Sequence, residues 1–199
     1  MALMIIAACS GTGKSTIVKA LLSRHERLKL SVSHTTRSPR PSEEDGVAYH
    51  FVDRSTFEQM IAEGAFVEWA EYAGNLYGTS HAMIQQASEL GQDLIFEVEI
   101  VGAAALKEAY PQAVSCFLLP PSWEELERRL RGRQTENESV ILTRLSQGRR
   151  EIEFADSFDH LVINEELGVA IDEVSAVYVA HRTSIHEQKH FLNALLQSR

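Results

Sequence analysis

A group of small, basic and hydroxyl residues near the start of the chain has the spacing of a phosphate-binding loop. The segment from Ala8 to Ser15 matches the pattern G-x-x-x-x-G-K-[ST], except that alanine replaces the first glycine. Gly11 and Gly13 let successive backbone N–H groups face phosphate oxygens, and a following helix adds its positive N-terminal end. Lys14 can reach the β- and γ-phosphates, and the Ser15 hydroxyl can bind Mg²⁺. The loop is therefore predicted to bind a nucleoside triphosphate through Ala8, Cys9, Ser10, Gly11, Thr12, Gly13, Lys14 and Ser15.

The residues around this loop favour phosphate binding over a glycine-containing turn that binds nothing. The apolar run Leu3–Ala8 precedes the loop, and apolar residues at helical spacing (Ile17, Val18 and Leu21) follow it. The order is thus strand, glycine-rich turn, helix. A helix N-terminus can lower the pKa of a thiol such as Cys9, but an inert thiol is the favoured interpretation. The loop does not identify the acceptor of a phosphoryl group.

Further short apolar runs predict the strands that position the loop. They are nearly continuous rather than alternating, which is typical of strands covered on both faces. Helical stretches separate them, with capping-box starts at Ser122 and Thr135. Alternating strands and helices predict an α/β fold of three layers around a five-stranded parallel sheet. The predicted strands are Leu3–Ala8, Leu30–Ser33, Leu94–Ile100, Val114–Leu119 and His160–Ile163.

Two stretches depart from this alternation. Between Arg37 and Met83, repeated glycines and prolines and the alternating run Phe66–Tyr72 predict a small mixed α+β insertion with antiparallel strands. The charged, arginine-rich stretch Glu124–Arg150 predicts two helices joined by a turn at Gly132. Both stretches interrupt the alternating strands and helices of the parallel core.

Composition limits the classes of partner. The 199 residues carry a formal net charge of −9, which argues against nucleic acid or an anionic membrane as the main partner. Cys9 and Cys116 are the two cysteines and lie in or beside apolar runs, as expected in a reducing compartment. The N-terminus lacks a basic region and a long apolar run. We therefore expect a soluble, cytoplasmic protein.

Several longer segments, in order along the chain, resemble the guanylate kinase family, and the resemblance extends over nearly the whole sequence. It implies a P-loop nucleoside-monophosphate-kinase fold, with a core of residues 1–32, 84–123 and 147–199, a GMP-binding insertion at 33–83 and a lid at 124–146. It also implies reversible, Mg²⁺-dependent transfer of the γ-phosphoryl group of ATP to GMP. The segments that carry it are Ser31–Pro41, Asp45–Val52, Phe66–Thr79, Leu118–Ser122, Arg128–Arg133 and Val162–Leu167.

The resemblance implies that Arg37, Arg40, Tyr49 and Tyr77 bind the phosphate of GMP. The residue types suit this role, because planar guanidinium groups and phenol donors are good partners for a phosphate dianion. For the two arginines in isolation, ordinary solvated surface charge would be the alternative interpretation.

The guanine-reading residues implied by the resemblance are Glu68, Ser33 and Thr79. A carboxylate is the natural partner of guanine N1–H and its 2-amino group, whereas adenine would leave that carboxylate unpaired. The resemblance also implies GMP-binding roles for Glu97 and Glu99, near Mg²⁺ and the 2-amino group. Glu99 departs from the aspartate usual in the family, and we expect adjustment rather than loss, since both are oxygen donors.

The lid is implied to supply positive charge to the transferring phosphoryl group from Arg129, Arg133 and Arg144. With Lys14 and Arg37, these are the predicted catalytic residues. The usual Gly-Arg-Gly of the lid turn here ends in Gln134, from which we expect an effect on rate before affinity. Asn164 matches a position near the adenine of ATP, with a buried asparagine at a strand end as the alternative.

Three other functions are compatible with parts of the sequence. His186 to His190 fits the zinc-peptidase pattern H-E-x-x-H, with Glu187 as a general base, but no third ligand follows it in the sequence. A catalytically inactive, guanylate-kinase-like interaction domain is the main alternative, although such domains typically lose the loop lysine or the lid arginines. Action on another nucleoside monophosphate is disfavoured by Glu68 and Ser33.

The apolar stripe of the C-terminal region leaves the oligomeric state open. It either packs on the core or mediates self-association as a homo-oligomer. Its residues are Ile171, Val174, Val177, Tyr178, Ile185, Leu192 and Leu195.

Overall fold

The computed structural model describes residues 1–41, 43–72, 74–132 and 137–198, which form two β-sheets covered by helices. The strands are β1 (Leu3–Ala8), β2 (Leu28–Leu30), β3 (His34–Thr35), β4 (His50–Phe51), β5 (Phe66–Tyr72), β6 (Asn75–Ser80), β7 (Asp93–Glu97), β8 (Val114–Leu119) and β9 (His160–Ile163). The helices are α1 (Lys14–Arg24), α2 (Arg54–Ala62), α3 (His81–Glu89), α4 (Ile100–Ala109), α5 (Trp123–Arg131), α6 (Glu138–Ile152), α7 (Leu167–Arg182) and α8 (Ile185–Gln197), with a 3₁₀ turn at Ala155–Ser157.

The larger sheet confirms the predicted five-stranded parallel core. Its order is β2-β7-β1-β8-β9, so β1 lies in the centre with both neighbours parallel to it. Alternate residues of β1 enter two separate hydrophobic clusters: Met4 and Ile6 pack with residues of α1 and α7, whereas Leu3 and Ile5 pack with residues of α3, α4, α5 and α6. A strand buried on both faces must be apolar at every position, which explains its continuous pattern.

Two predicted strands have different limits in the structure. The strand predicted at Leu30–Ser33 lies at Leu28–Leu30, where the exposed Lys29 interrupts the apolar run at the edge of the sheet. The strand predicted to reach Ile100 ends at Glu97, the last residue paired with β1, and α4 begins at Ile100. In both cases the sheet pairing, rather than the hydrophobic pattern, sets the end of the strand.

The smaller sheet lies in the predicted insertion and has the order β4-β3-β6-β5. The pairs β5–β6 and β3–β6 are antiparallel, as predicted, whereas β3 and β4 pair in parallel. Phe57 of α2 packs with Phe66 and Leu76 in a separate hydrophobic cluster. The insertion therefore has its own small core.

The charged stretch forms two helices, α5 and α6, as predicted. Ser122 caps α5 by accepting a hydrogen bond from the N–H of Glu125. Helix α6 begins two residues later than a cap at Thr135 predicts, because Asn137 is its N-cap; Thr135 lies outside the described residues. Within the described part of the chain, no helix has both the length and the apolar character needed to cross a bilayer.

A buried carboxylate joins the N-terminal strand, β7 and α7. Asp93 accepts hydrogen bonds of 2.8 Å from the backbone N–H of Ala2 and from the hydroxyl of Tyr178. Arg27 lies 3.7 Å from the same carboxylate. These partners satisfy a charge that would be costly to bury alone.

Candidate active site

The predicted phosphate-binding loop connects β1 to α1. Gly11 and Gly13 have φ values of 96° and 100°, in the region that favours glycine. A Cβ atom would lie 2.9 Å from the side chain of Leu130 at Gly11, and 2.7 Å from that of Asn164 at Gly13. Both glycines are therefore required by the backbone and by its neighbours, and Ala8 is accommodated as the last residue of β1.

Two residues distant in sequence hold this loop from the side of β9. The side-chain amide of Asn164 donates a 2.6 Å hydrogen bond to the carbonyl oxygen of Thr12. Arg129 donates 2.9 Å to the carbonyl oxygen of Asn164 and 3.4 Å to that of Thr12. Asn164 is buried, as the strand-end alternative predicts, so any contact with adenine stays a prediction. Arg129 supports the loop in this conformation.

Helix α6 contacts the loop along one face. Arg144 donates a 2.6 Å hydrogen bond to the hydroxyl of Ser10, and the thiol of Cys9 donates to the carbonyl oxygen of Gly148, one turn further on. Glu151 lies on the next turn of α6, also beside the loop, and burial raises the pKa of its carboxyl. The sequence does not point to Glu151, because no motif near it indicates a contact with the loop. Arg133 and Gln134, predicted to act in the lid, lie outside the described residues.

The environment of Cys9 favours the interpretation of this residue as an inert thiol. The side chain is buried, and burial together with the charge of Glu151 raises its pKa to about 12. Burial outweighs any stabilisation of a thiolate by the start of α1.

An open pocket of about 230 Å³ lies between the smaller sheet and the end of β7. It brings together all the predicted GMP-binding residues except Thr79, namely Ser33, Arg37, Arg40, Tyr49, Glu68, Tyr77, Glu97 and Glu99. The lining also includes residues that sequence analysis did not select: Glu43, Ala70, Gly78, Val98 and Gly102. Residues from widely separated segments thus meet in one cavity.

Glu68 is the buried acid of this pocket, with 8% of the residue exposed. Thr79, although not lining the pocket, donates a 2.7 Å hydrogen bond to Glu68 Oε1. Burial raises the pKa of Glu68, and the hydrogen bond from Thr79 opposes that rise. A Cβ atom at Gly102 of α4 would lie 3.2 Å from Glu68 Oε2, so the absence of a side chain there leaves room for the carboxylate.

The basic end of the pocket is centred on Arg37. Its guanidinium lies over the ring of Tyr49, 5.4 Å from the centroid, and pairs with Glu43. Burial lowers the pKa of Arg37, but the interactions with Glu43 and Tyr77 together raise it more, so the group stays charged. Burial raises the pKa of Tyr49, which keeps its phenol as a hydrogen-bond donor. This end can hold an anion.

The end of β7 forms a wall common to the pocket and the loop. The Ser15 hydroxyl donates a 2.5 Å hydrogen bond to Glu97 Oε1. Lys14 Nζ donates 2.8 Å to the carbonyl oxygen of Val98 and lies 3.6 Å from Glu99 Oε1. A triphosphate on the loop and an anion in the pocket would therefore meet across a single row of residues.

Comparison with known proteins shows the family of this chain. The model of the family described as "Guanylate kinase" matches residues 1–181. The chain belongs to the guanylate kinase family. The guanylate kinase of Aromatoleum aromaticum is 47% identical over 90% of this chain and 88% of its own length. That of Neisseria meningitidis serogroup A is 44% identical over 98% and 96%. The crystal structure of guanylate kinase from Anaplasma phagocytophilum superimposes with a TM-score of 0.75 at 29% identity, covering 92% of this chain and 87% of that one.

The zinc-peptidase pattern on α8 has a different role in this member of the family. The side chain of Glu187 is 8% exposed, and its carboxylate lies 3.3 Å from the amino group of Met1 and 4.0 Å from His181. It thus joins the start of the chain to α8 instead of facing a cleft. Among the residues that the structure describes, no group of three or more His, Cys, Asp or Glu side chains could hold a metal ion.

Proposed function

We infer that this chain is a guanylate kinase, which transfers the γ-phosphoryl group of ATP to GMP, giving ADP and GDP in a reversible reaction. The observation that carries the inference is the wall at the end of β7, where Lys14 contacts Val98 and Glu99. Val98 and Glu99 also line the pocket, which contains Glu68 and the basic end at Arg37. Donor and acceptor sites of a phosphoryl transfer must adjoin in this way.

The acceptor is GMP because the pocket offers complementary groups at both ends. Arg37 and Arg40, with Tyr49 and Tyr77, are proposed to bind its phosphate, since all four line the pocket. At the other end Glu68, which accepts a hydrogen bond from Thr79, is proposed to accept from guanine N1–H and the 2-amino group. Adenine would leave that buried carboxylate without donors, which is costly. Ser33, Glu97 and Glu99 complete the proposed GMP-binding set.

The donor is ATP, held by the loop from Ala8 to Ser15. Its backbone N–H groups and Lys14 provide positive charge around the β- and γ-phosphates. Asn164 is proposed as an adenine-side residue as well as a support of Thr12. The transfer needs alignment and charge rather than a general base, because the attacking phosphate oxygen of GMP is already ionised near neutral pH.

The lid arginines are proposed to stabilise the transferring group. Arg129 and Arg144 reach the loop at Thr12 and Ser10 in this conformation, which supports their proposed proximity to the phosphates. Arg133 is the third member. We propose that residues 124–146 act as the lid, that 33–83 bind GMP and that the remaining residues form the core. Closure of the lid and insertion would exclude water and align the two substrates.

Mg²⁺ is the proposed cofactor, and the residues present fit it. Ser15 and Glu97 place two oxygen ligands side by side, as their hydrogen bond shows. Mg²⁺ prefers oxygen and typically takes one or two protein ligands together with substrate phosphates. When bound, it would neutralise charge on the β- and γ-phosphates. Ser15 is the proposed direct ligand.

Location and assembly belong to the same proposal. We propose a cytoplasmic enzyme, because the buried, unpaired Cys9 and Cys116 suit a reducing compartment. Its partners are proposed to be the nucleotides and not nucleic acid, given the net charge of −9. Of the apolar stripe in the C-terminal region, Ile171, Val174 and Tyr178 pack in the core, whereas Ile185, Leu192 and Leu195 are exposed. These three exposed residues are proposed to mediate self-association as a homo-oligomer, with light scattering over a concentration series as its measurement.

A coupled assay of ADP release tests the function. With ATP and Mg²⁺, we expect turnover with GMP and rates at least about 10²-fold lower with AMP, CMP or UMP. Lys14→Ala should reduce kcat by roughly 10²-fold or more, because it removes a cation at the transferring group. Lys19→Ala, which removes an exposed lysine of the same helix, should retain turnover.

The same assay separates this function from the inactive alternative. That alternative is disfavoured because Lys14, Ser15, Arg129 and Arg144 are all in place. A folded chain with no turnover on any of the four monophosphates would contradict the proposal. Equal rates with GMP and AMP would contradict the assignment of Glu68 as the guanine reader.

A further inference from the structure

An acidic side chain occupies the basic end of the pocket. Both carboxylate oxygens of Glu43 accept hydrogen bonds of 2.9 Å from Nη2 of Arg37. Oε2 also accepts one of 2.8 Å from the backbone N–H of Arg40, whose Nη1 lies 3.9 Å from Oε1. The side chains of Arg37 and Glu43 are only 17% and 15% exposed. A carboxylate therefore holds the cations that the phosphate of GMP needs.

The charges that line the pocket leave an anionic ligand little choice of position, so the presence of Glu43 at the basic end affects its binding. Arg37 and Arg40 are its basic lining residues, whereas its acidic ones are Glu43, Glu68, Glu97 and Glu99. Acids outnumber bases, so a dianion can be favoured only close to the two guanidinium groups. At that place it must compete with Glu43. Burial raises the pKa of Glu43, but the N–H of Arg40 and the charge of Arg37 lower it more, so the competitor is an anion.

Arg37 is better anchored than its carboxylate partner. Its Nη1 donates 2.8 Å to the carbonyl oxygen of Ser38, and its guanidinium lies against the rings of Tyr49 and Phe51. Both residues lie in the irregular segment between β3 and β4, but among the described residues the carboxylate of Glu43 has only Arg37 and Arg40 as hydrogen-bond or ion-pair partners. When an anion enters, Glu43 is therefore the group that moves away.

We propose that Glu43 is an internal placeholder for the phosphate of GMP, which the substrate displaces from Arg37. While the pocket is empty, the carboxylate keeps the guanidinium in its binding position. Every anion must displace the Glu43 carboxylate from Arg37 at the same cost in free energy. Only a ligand whose base also contacts Glu68 gains enough additional contacts to offset that cost. Glu43 thus weakens the binding of every anion by the same factor, which keeps free inorganic phosphate, with no base to add contacts, from occupying the pocket. This inference rests on the proposed function.

The test compares Glu43→Gln with Glu44→Gln, a matched control that removes the same charge from the adjacent, exposed glutamate. Three quantities are measured: the KM for GMP, and the inhibition constants of inorganic phosphate and of guanosine against GMP. In Glu43→Gln, the KM for GMP and the phosphate constant should each fall by roughly three- to tenfold, the range expected for losing one partly exposed ion pair. The guanosine constant should stay the same, because guanosine has no phosphate. Glu44→Gln should change all three by less than about twofold.

The opposite result for phosphate overturns the proposal. If Glu43→Gln raises the KM for GMP and leaves inhibition by phosphate unchanged, Glu43 only positions Arg37. Circular dichroism and an unchanged KM for ATP establish that the variant is folded. Should it not fold, Glu43→Asp keeps the charge but is one methylene shorter, and the same fall of the phosphate constant is expected.

Failure of the proposed function gives a different result. An unmodified chain without GMP turnover contradicts the kinase activity alone. Calorimetric titration of inorganic phosphate into the unmodified chain and Glu43→Gln then still tests the placeholder: tighter binding by the variant supports it, and equal binding overturns it.

Discussion

At the scale of single residues, the site depends on where a few carboxylates are buried. Glu68 is buried and its pKa is raised, whereas the partly exposed Glu43 remains an anion because two arginines contact it. Desolvation acts on both, and the hydrogen-bond partners decide the outcome. Two chemically identical side chains can therefore serve opposite ends of one pocket.

Replacing Glu68 by glutamine should weaken the use of GMP without lowering the stability of the fold. Glutamine offers guanine one acceptor and an unwanted donor, so kcat/KM with GMP should fall by about 10²-fold. Because burial raises the pKa of Glu68 in the folded chain, the folded state binds the proton more tightly than the unfolded chain. Stability is then lost as pH rises between the ordinary and the raised value, and Glu68→Gln should remove that loss.

Two measurements check this prediction. Urea unfolding at neutral pH should give a free energy of unfolding at least equal to that of the unmodified chain. In the unmodified chain, the KM for GMP should rise as the pH falls and Glu68 becomes protonated. The midpoint of that rise should lie at a higher pH than the ordinary pKa of an exposed glutamate. Glu71→Gln, on the exposed side of β5, is the control; a less stable Glu68→Gln would contradict the account.

Sequence identified the residues whose chemistry is local and missed those whose role is set by a distant contact. The loop glycines, Lys14 and Ser15 lie next to one another in the chain, so their pattern is visible without a structure. Glu43 and Glu151 act on Arg37 and Cys9, and no spacing rule selects them from the other acids. The surroundings of Glu43 and Glu151 could not be predicted from the residues next to them in the sequence.

At the scale of elements, the helix after β7 shows how packing limits a site. Helix α4 follows the wall residues directly, and its Gly102 faces Glu68. The sequence pattern extended β7 to Ile100, since the run is apolar or acidic throughout. The turn from strand to helix at Glu99 depends on the pairing with β1 and is not encoded in that pattern.

Gly102→Ala should weaken GMP binding without affecting ATP. The added Cβ would lie 3.2 Å from Glu68 Oε2 and 3.6 Å from its carboxyl carbon, so the acid must shift by a few tenths of an ångström. We expect the KM for GMP to rise by roughly three- to tenfold, since misplaced hydrogen bonds lose about 1 kcal/mol. The KM for ATP should not change.

The matched control is Gly168→Ala in the first turn of α7, where no atom lies within 4 Å of the added Cβ. Both alanines favour the helix by about 0.5–1 kcal/mol relative to glycine, so the control carries the propensity effect alone. Equal KM values for GMP in the two variants would show that Glu68 adapts without loss.

At the scale of the whole molecule, the parallel sheet places the site at the ends of its central strands. The chain leaves β1 through the phosphate loop, with β7 and β8 on opposite sides, which is where doubly wound sheets bind ligands. Alternation of strands and helices was enough to predict this fold class. The strand order was not, because it depends on which apolar faces meet in space.

The network of Asp93 should contribute to global stability and not to catalysis. Tyr178→Phe removes a 2.8 Å hydrogen bond from a buried carboxylate and should lower the free energy of unfolding by about 1–2 kcal/mol. Urea unfolding measures this, and kcat/KM with GMP should stay unchanged. Tyr110→Phe, outside this network, controls for the lost hydroxyl. A Tyr178→Phe variant of unaltered stability would mean that Ala2 and Arg27 satisfy Asp93 by themselves.

The hydrogen bond from Asn164 to Thr12 joins residues 152 positions apart. During synthesis, the whole phosphate-binding motif leaves the ribosome long before the strand that carries Asn164. Until β9 joins the sheet, the carbonyl oxygen of Thr12 lacks this donor, and closing so long a segment is among the slower events of folding. The motif precedes Asn164 by most of the chain, so the contact that holds Thr12 can form only after Asn164 has been synthesised. An emerging polypeptide thus carries the signature of a nucleotide site well before it has the site itself.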